Sequence, residues 1–168
     1  MVLVADTSAL VSLAVAKDGL ALETLFREYE VYVPSAIVEE LEEIATYDDA
    51  HADSARRVLD RIADSCVHEV EVPSEYPLDA GESAAIELAD RIEADAFLCD
   101  EYRELATIHA LLSTARLLTT PKLIEAFVRR GVLTSAEASD VLSETIDSRR
   151  TSSTRSASGT CFLTHMAR

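Results

Sequence analysis

Residues 2–8 read Val-Leu-Val-Ala-Asp-Thr-Ser, and residues 96–101 read Ala-Phe-Leu-Cys-Asp-Glu. Each stretch is a short apolar run that ends in an aspartate, Asp6 or Asp100, and leads into a helix-like segment. Continuous apolar runs of this length are typical of strands that are buried on both faces of a parallel sheet. Such runs alternate along the chain with amphipathic helical patterns, which predicts βαβ units and an α/β fold.

The spacing of apolar residues and the positions of Pro and Gly predict the individual elements. The predicted strands cover residues 2–5, 31–33, 67–72, 96–99 and 116–118. The predicted helices cover residues 8–16, 20–27, 35–45, 52–65, 79–92, a segment with Leu105, Ile108 and Leu112, 120–130 and 134–146. We expect residues 1–147 to form one domain. Residues 148–168 are basic and rich in Ser, Thr and Arg, which predicts a disordered tail.

Length and composition are typical of a single globular domain. The chain has 168 residues, of which 48% are hydrophobic and 5% aromatic, which is enough for a sizeable core. No apolar run approaches the roughly 20 residues that a membrane-spanning helix requires. Met1 is followed by apolar residues and Asp6 rather than by a basic segment, so we expect no secretory signal and a cytoplasmic location.

Cysteine and histidine spacing gives no sign of a zinc site. The three cysteines are odd in number, widely spaced and free of any Cys-x-x-Cys pattern, which also argues against a disulfide framework. The histidines are equally scattered, and we expect none of them to bind a metal ion. These residues are Cys66, Cys99, Cys161, His51, His68, His109 and His165.

The chain is strongly acidic, with 15 Lys and Arg against 31 Asp and Glu and a formal net charge of -16. Residues 149–168 hold four arginines and no acid, so the rest of the chain is more acidic still. A lysine-poor, acidic surface resembles proteins of salt-loving cells, where molar salt screens the repulsion between charges. An acidic body also binds nucleic acid poorly unless metal ions, a local arginine cluster or high salt supply the attraction.

Four carboxylates fall where the predicted fold would bring them together. Asp6 and Asp100 each end a predicted strand, and the carboxyl ends of parallel strands share one edge of a sheet. Glu40 and Glu82 lie on predicted helices between them. Clustered carboxylates repel one another unless a cation lies between them, so the layout predicts a hard-metal site and a metal-assisted nuclease. A purely structural interpretation is also open, because aspartate is a favoured helix N-cap.

The helical pattern narrows the acids of residues 39–43 but does not choose among them. Ile37, Val38, Leu41, Ile44 and Ala45 define the buried stripe of this helix at 100° per residue. Glu39 and Glu43 then face water, whereas Glu40 and Glu42 flank the stripe on opposite sides. Both remain candidates on geometry alone.

Glu82 also has a structural alternative. Asp79 and Glu82 have the spacing of a capping box, with Asp79 at the N-cap and Glu82 at the third helical position. Gly81 in the first turn costs about 1 kcal/mol relative to alanine. That cost suggests that another group approaches the backbone at Gly81, which favours a site.

Four short motifs, in this order, resemble those of the PIN domain family. They are VADTS at residues 4–8, PSAIVEEL at 34–41, LDAGESAAIELA at 78–89 and FLCDE at 97–101. The resemblance covers about residues 2–130. The Gly81-Glu82 form and the Asp100-Glu101-x-Arg103 pattern are similar to uncharacterised nucleic-acid-binding PIN proteins that are related to toxin–antitoxin ribonucleases.

The resemblance implies a three-layer α/β/α sandwich with a mainly parallel central sheet and an acidic site for Mg²⁺ or Mn²⁺. It implies that Asp6, Glu40, Glu82 and Asp100 are the metal-binding and catalytic acids, and it selects Glu40 over Glu42. Ser8 would orient Asp6, Glu101 is a candidate fifth acid, and Arg103 belongs to the same motif. Family members commonly form homodimers. Cys99 departs from the family pattern, in which Thr or Ser commonly precedes the last acid.

The expected activity is metal-dependent phosphodiester hydrolysis, as an endoribonuclease that cuts single-stranded or loop RNA. One ion would activate water for in-line attack, and a second would stabilise the leaving oxygen. In a toxin–antitoxin setting, an antitoxin protein would cover the site with a basic side chain. The alternative is a catalytically silent PIN module that binds RNA or a protein partner, which the acidic surface and Cys99 favour.

The acidic composition predicts that salt stabilises the fold. Molar KCl should raise the melting temperature relative to millimolar KCl, by about 2–4 °C for each kcal/mol of charge repulsion that it screens. Thermal unfolding followed by circular dichroism at both salt concentrations measures this difference. Equal stability in millimolar and molar KCl would count against a halophilic origin.

Overall fold

The computed structural model describes residues 1–16, 19–71 and 77–158, and the side chains up to residue 147. Its strands are β1 (Val2–Ala5), β2 (Glu30–Pro34), β3 (Val67–His68), β4 (Ala96–Leu98) and β5 (Arg116–Leu118). Its helices are α1 (Thr7–Val15), α2 (Leu20–Glu28), α3 (Ser35–Ala45), α4 (Ala50–Leu59), α5 (Ala80–Arg91), α6 (Leu105–Leu111), α7 (Thr120–Arg129) and α8 (Ser135–Ser158).

The five strands form one parallel sheet in the order β3-β2-β1-β4-β5. β1 lies at its centre, where Val4 pairs in register with Tyr32 of β2 and Phe97 of β4. Since the strands are parallel, β1 and β4 end at the same edge of the sheet, one residue before Asp6 and close to Asp100. The sheet order therefore places Asp6 and Asp100, the two aspartates predicted to belong to the site, at the ends of adjacent strands.

Helices cover both faces of the sheet, which gives three layers. Leu3 and Ala5 of β1 face one side and pack in a cluster with residues of α1, α2, α4, α7 and α8. Val4 and Phe97 face the other side and pack against α5 and against Ile108 of α6. Burial on both faces explains why β1 and β4 read as continuous apolar runs. The predicted three-layer α/β/α sandwich with a parallel sheet is confirmed.

Several predicted boundaries differ from the structure. The strand predicted over residues 67–72 is shorter, since β3 ends at His68 and residue 72 lies outside the described residues. The helix predicted directly after Asp100 begins only at Leu105, after a loop. The apolar pattern predicts that a strand or a helix is present, but it does not fix the residue at which β3 ends or α6 begins.

Helix α8 runs to Ser158, well beyond the predicted end at Ile146. Part of the predicted disordered tail, residues 148–158, is therefore helical. Polar composition predicts that a segment lacks a core, but a helix satisfies its backbone groups locally and propagates from a nucleus that already exists. Residues 159–168 lie outside the described residues, so the division at residue 147 stays a prediction. None of the helices in the described part of the chain is long and apolar enough to cross a membrane.

Candidate active site

Asp6 is the N-cap of α1, and its side chain lines a cavity at this edge of the sheet. Its Oδ1 accepts a hydrogen bond from the Ser8 backbone N–H at 3.0 Å, and its Oδ2 accepts one from the Ser8 hydroxyl at 2.6 Å. Only 4% of Asp6 is exposed. The same side chain therefore caps α1 and lines the cavity, since capping holds the carboxylate in the cavity wall.

Asp100 is held by a different helix from the one that follows it in sequence. Its Oδ1 accepts a hydrogen bond at 2.8 Å from the backbone N–H of Thr120, the first residue of α7. The structural interpretation of Asp100 as the N-cap of the next helix is wrong, because Glu104 occupies the N-cap of α6. Asp100 follows β4 and reaches the start of α7, which follows the neighbouring strand β5.

The hydroxyl of Ser8 connects the two aspartates. It donates to Asp6 Oδ2 and accepts a hydrogen bond from the backbone N–H of Asp100 at 3.1 Å. This contact joins residues that are far apart in sequence but adjacent at the ends of β1 and β4. The Ser8 hydroxyl thus binds the Asp6 carboxylate and the backbone at Asp100, and its role in orienting Asp6 for function stays a prediction.

Glu40 enters the site through contacts with Thr7 and Gly81. The Thr7 hydroxyl donates a hydrogen bond to Glu40 Oε2 at 2.6 Å. A Cβ on Gly81 would lie 2.7 Å from Glu40 Cδ, closer than side chains tolerate. The Glu40 carboxylate is thus the group that approaches the backbone of Gly81, as the cost of a glycine in this helix suggests. Glu42 is exposed and lies away from the cavity.

Glu82 lies in the first turn of α5, directly over the same cavity. The Asp79 carboxylate caps this helix by accepting a hydrogen bond from the Glu82 backbone N–H at 2.8 Å. The Glu82 side chain is 8% exposed and lines the cavity. The cap that the spacing predicts is therefore formed by Asp79 and the backbone of Glu82, which leaves the side chain of Glu82 directed at the site.

The structure brings the sequence-predicted residues around one cavity of about 680 Å³. Sequence reasoning missed several residues that line it or hold it, because their positions depend on how distant elements pack. The predicted residues in its wall are Asp6, Ser8, Glu40, Glu82, Asp100, Glu101 and Arg103. The wall residues that the sequence analysis did not assign to the site are Thr7, Val11, Ser12, Val15, His51, Asp79, Tyr102 and Thr145.

Three carboxyl groups of the site, those of Asp6, Glu40 and Glu82, have raised pKa values. Burial raises the pKa of Asp6 above its ordinary value, and the charge of Asp100 adds to the rise. Burial, then the charges of Asp79 and Asp6, raise the pKa of Glu40. Burial and the Asp79 charge raise the pKa of Glu82 to about 7. Each shift shows that the ionised carboxylate lies in an unfavourable environment, which a divalent cation would relieve.

Cys99 takes over the position that a hydroxyl commonly fills in the family pattern. Its sulfur accepts a hydrogen bond from the Glu101 backbone N–H at 3.3 Å, and its thiol lies close enough to Asp6 to oppose the rise in the pKa of that carboxyl group. Burial, with the charge of Asp6, raises the pKa of the Cys99 thiol, so it stays protonated and able to donate. The departure at Cys99 therefore keeps a contact to Asp6, although a thiol is a weaker donor than a hydroxyl.

The donor set suits a hard divalent cation but is spread around the cavity. The acids provide carboxylate oxygens, which are the ligands that Mg²⁺ and Mn²⁺ prefer. Within residues 1–16, 19–71 and 77–158, no three His, Cys, Asp or Glu side chains converge closely enough to hold an ion. Binding would require carboxylates to rotate towards a common point, because like charges without a cation stay apart.

Fold and site together define a three-layer α/β/α protein with an acidic cavity at the carboxyl edge of its parallel sheet. A family model described as a PIN domain matches residues 2–156. The chain therefore belongs to the PIN domain family, whose members are generally nucleases. No curated protein matches the chain. The predicted family is confirmed, whereas the toxin–antitoxin branch and the halophilic origin stay predictions.

The contact between Gly81 and Glu40 predicts an unusual result for Gly81→Ala. Alanine in a helix is ordinarily more stable than glycine by about 1 kcal/mol, but here the added Cβ displaces the Glu40 carboxylate from Thr7. We expect Gly81→Ala to give little or no gain in stability. The same change in a Glu40→Ala background should recover up to about 1 kcal/mol. Urea unfolding of the four proteins of this cycle measures the coupling, and additive effects would contradict the contact.

The raised pKa of Glu82 predicts that this residue lowers the free energy of unfolding more at high pH than at low pH. A carboxyl group with a higher pKa in the folded state stabilises the fold below about pH 4.5, and this contribution is lost as the pH rises to about 7. In EDTA, Glu82→Gln should therefore increase the free energy of unfolding more at pH 8 than at pH 5. Glu42→Gln, at an exposed position of α3, is the matched control. An equal difference at both pH values would contradict this assignment.

Proposed function

We propose that this PIN domain is a metal-dependent phosphodiesterase, an endoribonuclease that cuts single-stranded or loop RNA with Mg²⁺ or Mn²⁺. The observation that carries the proposal is the cavity at the carboxyl edge of the sheet, which gathers Asp6, Glu40, Glu82 and Asp100. Burial, together with the charges of neighbouring acids, raises the pKa values of Asp6, Glu40 and Glu82. A bound cation would stabilise the ionised forms of these carboxyl groups, which supports a metal site.

The protein contributes positioned carboxylates in this proposal. Asp6 and Asp100 are the central ligands, because Ser8 and the backbone of Thr120 hold them at the ends of adjacent strands. Glu40 and Glu82 complete the ligand set directly or through water. A bound divalent ion supplies a Lewis acid that activates water at neutral pH and stabilises charge on the leaving oxygen. Thr7 keeps Glu40 oriented through its hydroxyl.

A second candidate function is a catalytically silent PIN module that binds RNA or a protein partner. It is favoured by the lack of three convergent ligands among the described side chains. It is also favoured by the acidic composition, since an acidic surface repels phosphates. The two functions differ in one observable, which is metal-dependent cleavage by the folded protein.

Three narrower proposals rest on the resemblance to toxin–antitoxin ribonucleases. The chain would be paired with an antitoxin that inserts a basic side chain into the acidic cavity. It would form a homodimer. It would act in the cytoplasm, where RNA is accessible. Each is separable from the nuclease proposal, because the acidic cavity lies within a single chain.

The nuclease proposal predicts that Asp6→Asn and Asp100→Asn each lower cleavage of a mixed RNA pool by about 100-fold or more, since each removes a ligand charge worth several kcal/mol to the transition state. The assay compares Mn²⁺, Mg²⁺ and EDTA at millimolar and molar KCl. Circular dichroism should show an intact fold, and Glu42→Gln should cut like the unaltered chain. Full activity in Asp6→Asn would sink the assignment. A folded protein that binds Mn²⁺ without cutting RNA would favour the silent module.

A further inference from the structure

Cation-forming side chains are scarce in the wall of the cavity. The wall carries the acids Asp6, Glu40, Asp79, Glu82, Asp100 and Glu101. Among the described residues, Arg103 is the only Lys or Arg that lines it, and His51 is the only His. A nucleic-acid backbone that crosses this cavity is therefore repelled by the acids in the middle of the cavity. In the part of the chain that the structure describes, Arg103 and His51 are the basic side chains that can donate hydrogen bonds to its phosphates there.

Arg103 lies on the side of the cavity that belongs to α5 and α6. It follows Asp100 in the loop between β4 and α6, and it also lines a shallower neighbouring pocket beside Asp79 and Glu82. Arg103 is exposed and forms no ion pair with any side chain that the structure describes. Other arginines on the surface do form ion pairs, as Arg130 does with Glu28 at 2.8 Å.

Tyr102 stands beside Arg103 in the same loop. Tyr102 is 54% exposed although it lines the cavity, so a solvent-exposed aromatic residue lies at the rim. The loop itself begins directly after Asp100, so its position is tied to that acid. Proteins that bind single-stranded nucleic acids combine aromatic side chains, which stack on bases, with basic side chains, which contact phosphates.

His51 reaches the cavity from the opposite layer of the fold. It lies in the first turn of α4, which packs on α1 and α3 and contributes Ala55 and Val58 to the core on one face of the sheet. The Tyr102–Arg103 loop leads into α6, whose Ile108 belongs to the core on the other face. His51 and Arg103 therefore flank the acids from the two sides of the sheet edge.

We propose that His51, Tyr102 and Arg103 form a substrate rim that holds single-stranded RNA across the acids. Arg103 binds a phosphate on one side of the reacting phosphodiester, and His51 donates an imidazole N–H to a phosphate on the other side. Tyr102 stacks on an unpaired base beside Arg103. The inference rests on the nuclease proposal for the reaction, but the contacts it assigns are contacts of binding.

The substrate rim accounts for a preference for unpaired RNA. Bases in a duplex are already stacked on their neighbours, so only a single strand or a loop offers a base face to Tyr102. The two donors also give a net acidic protein a local attraction for phosphate where it is needed. The rim thus supplies both the discrimination and part of the affinity that the acids cannot supply.

The test measures binding without cleavage, in the full chain carrying Asp6→Asn so that the RNA stays intact. Fluorescence anisotropy with a labelled single-stranded RNA of mixed sequence, with Mg²⁺ and separately with EDTA, gives Kd for each rim variant. Tyr102→Ala should raise Kd by about 5–100-fold, and Tyr102→Phe should retain binding because the ring still stacks. Matched controls away from the cavity are Tyr47→Ala, Arg116→Ala and His109→Ala, which should leave Kd within about 2-fold.

Two readouts separate substrate contacts from structural effects. Arg103→Ala should lower the slope of log Kd against log salt by about 1, whereas Arg103→Lys should keep it, because one phosphate contact depends on the charge. His51→Ala should weaken binding more than His109→Ala in the same buffer. Tyr102→Ala should also reduce the preference for single-stranded over duplex RNA of the same sequence.

The outcomes distinguish the rim from the nuclease proposal. Weaker RNA binding by the rim variants supports the rim even where the unaltered chain cuts nothing, in which case the nuclease proposal fails alone. Cleavage by the unaltered chain, with rim variants that bind and cut RNA at control levels, overturns the rim alone. Unaltered binding in the Tyr102, Arg103 and His51 variants, equal affinity for duplex RNA, or no binding of RNA at all overturns the rim.

Discussion

Burial of the acids at the carboxyl edge of the sheet is the constraint around which the site is arranged, because burial is the largest cause of the raised pKa values of Asp6, Glu40 and Glu82. Parallel pairing of β1 and β4 places Asp6 and Asp100 at one edge of the sheet, because each follows the end of a paired strand. The Ser8 hydroxyl lies between them, and the first backbone N–H of α7, at Thr120, turns Asp100. These hydrogen bonds hold the two acids in place at the ends of their strands. A cation would add direct attraction.

Burial of the apolar strands offsets the free-energy cost of burying several carboxylates at one edge of the sheet. Buried acids with raised pKa values destabilise the folded chain, since their ionised forms lack the water they have when unfolded. The opposing contribution comes from β1 and β4, where Leu3, Val4 and Phe97 are fully buried on the two faces. Packing of apolar side chains in the three layers therefore stabilises the fold, whereas the buried acids at the sheet edge destabilise it.

Local patterns predicted much of this structure, and the remainder depends on packing between distant elements. The strands and most helices follow from apolar runs and their period, and Asp6 and Asp100 follow from strand ends. The choice of Glu40 over Glu42 does not, because both flank the buried stripe and the deciding contacts come from Thr7 and Gly81 on other elements. The same holds for the cap of α7, since no local rule links Asp100 to Thr120.

His51 shows most clearly where a residue-by-residue analysis stops. As a single histidine without metal-ligand spacing it carries no signal, and its meaning arises only because α4 packs against α1 and α3 beside the acids. In a chain with 31 acids and 15 basic residues, the position of a basic group matters more than the total charge. Most arginines of the body are engaged with carboxylates or carbonyl oxygens, as Arg57 is with Ala14. Arg103 lines the cavity without such an ion pair among the described side chains, which is why we propose that it serves a ligand.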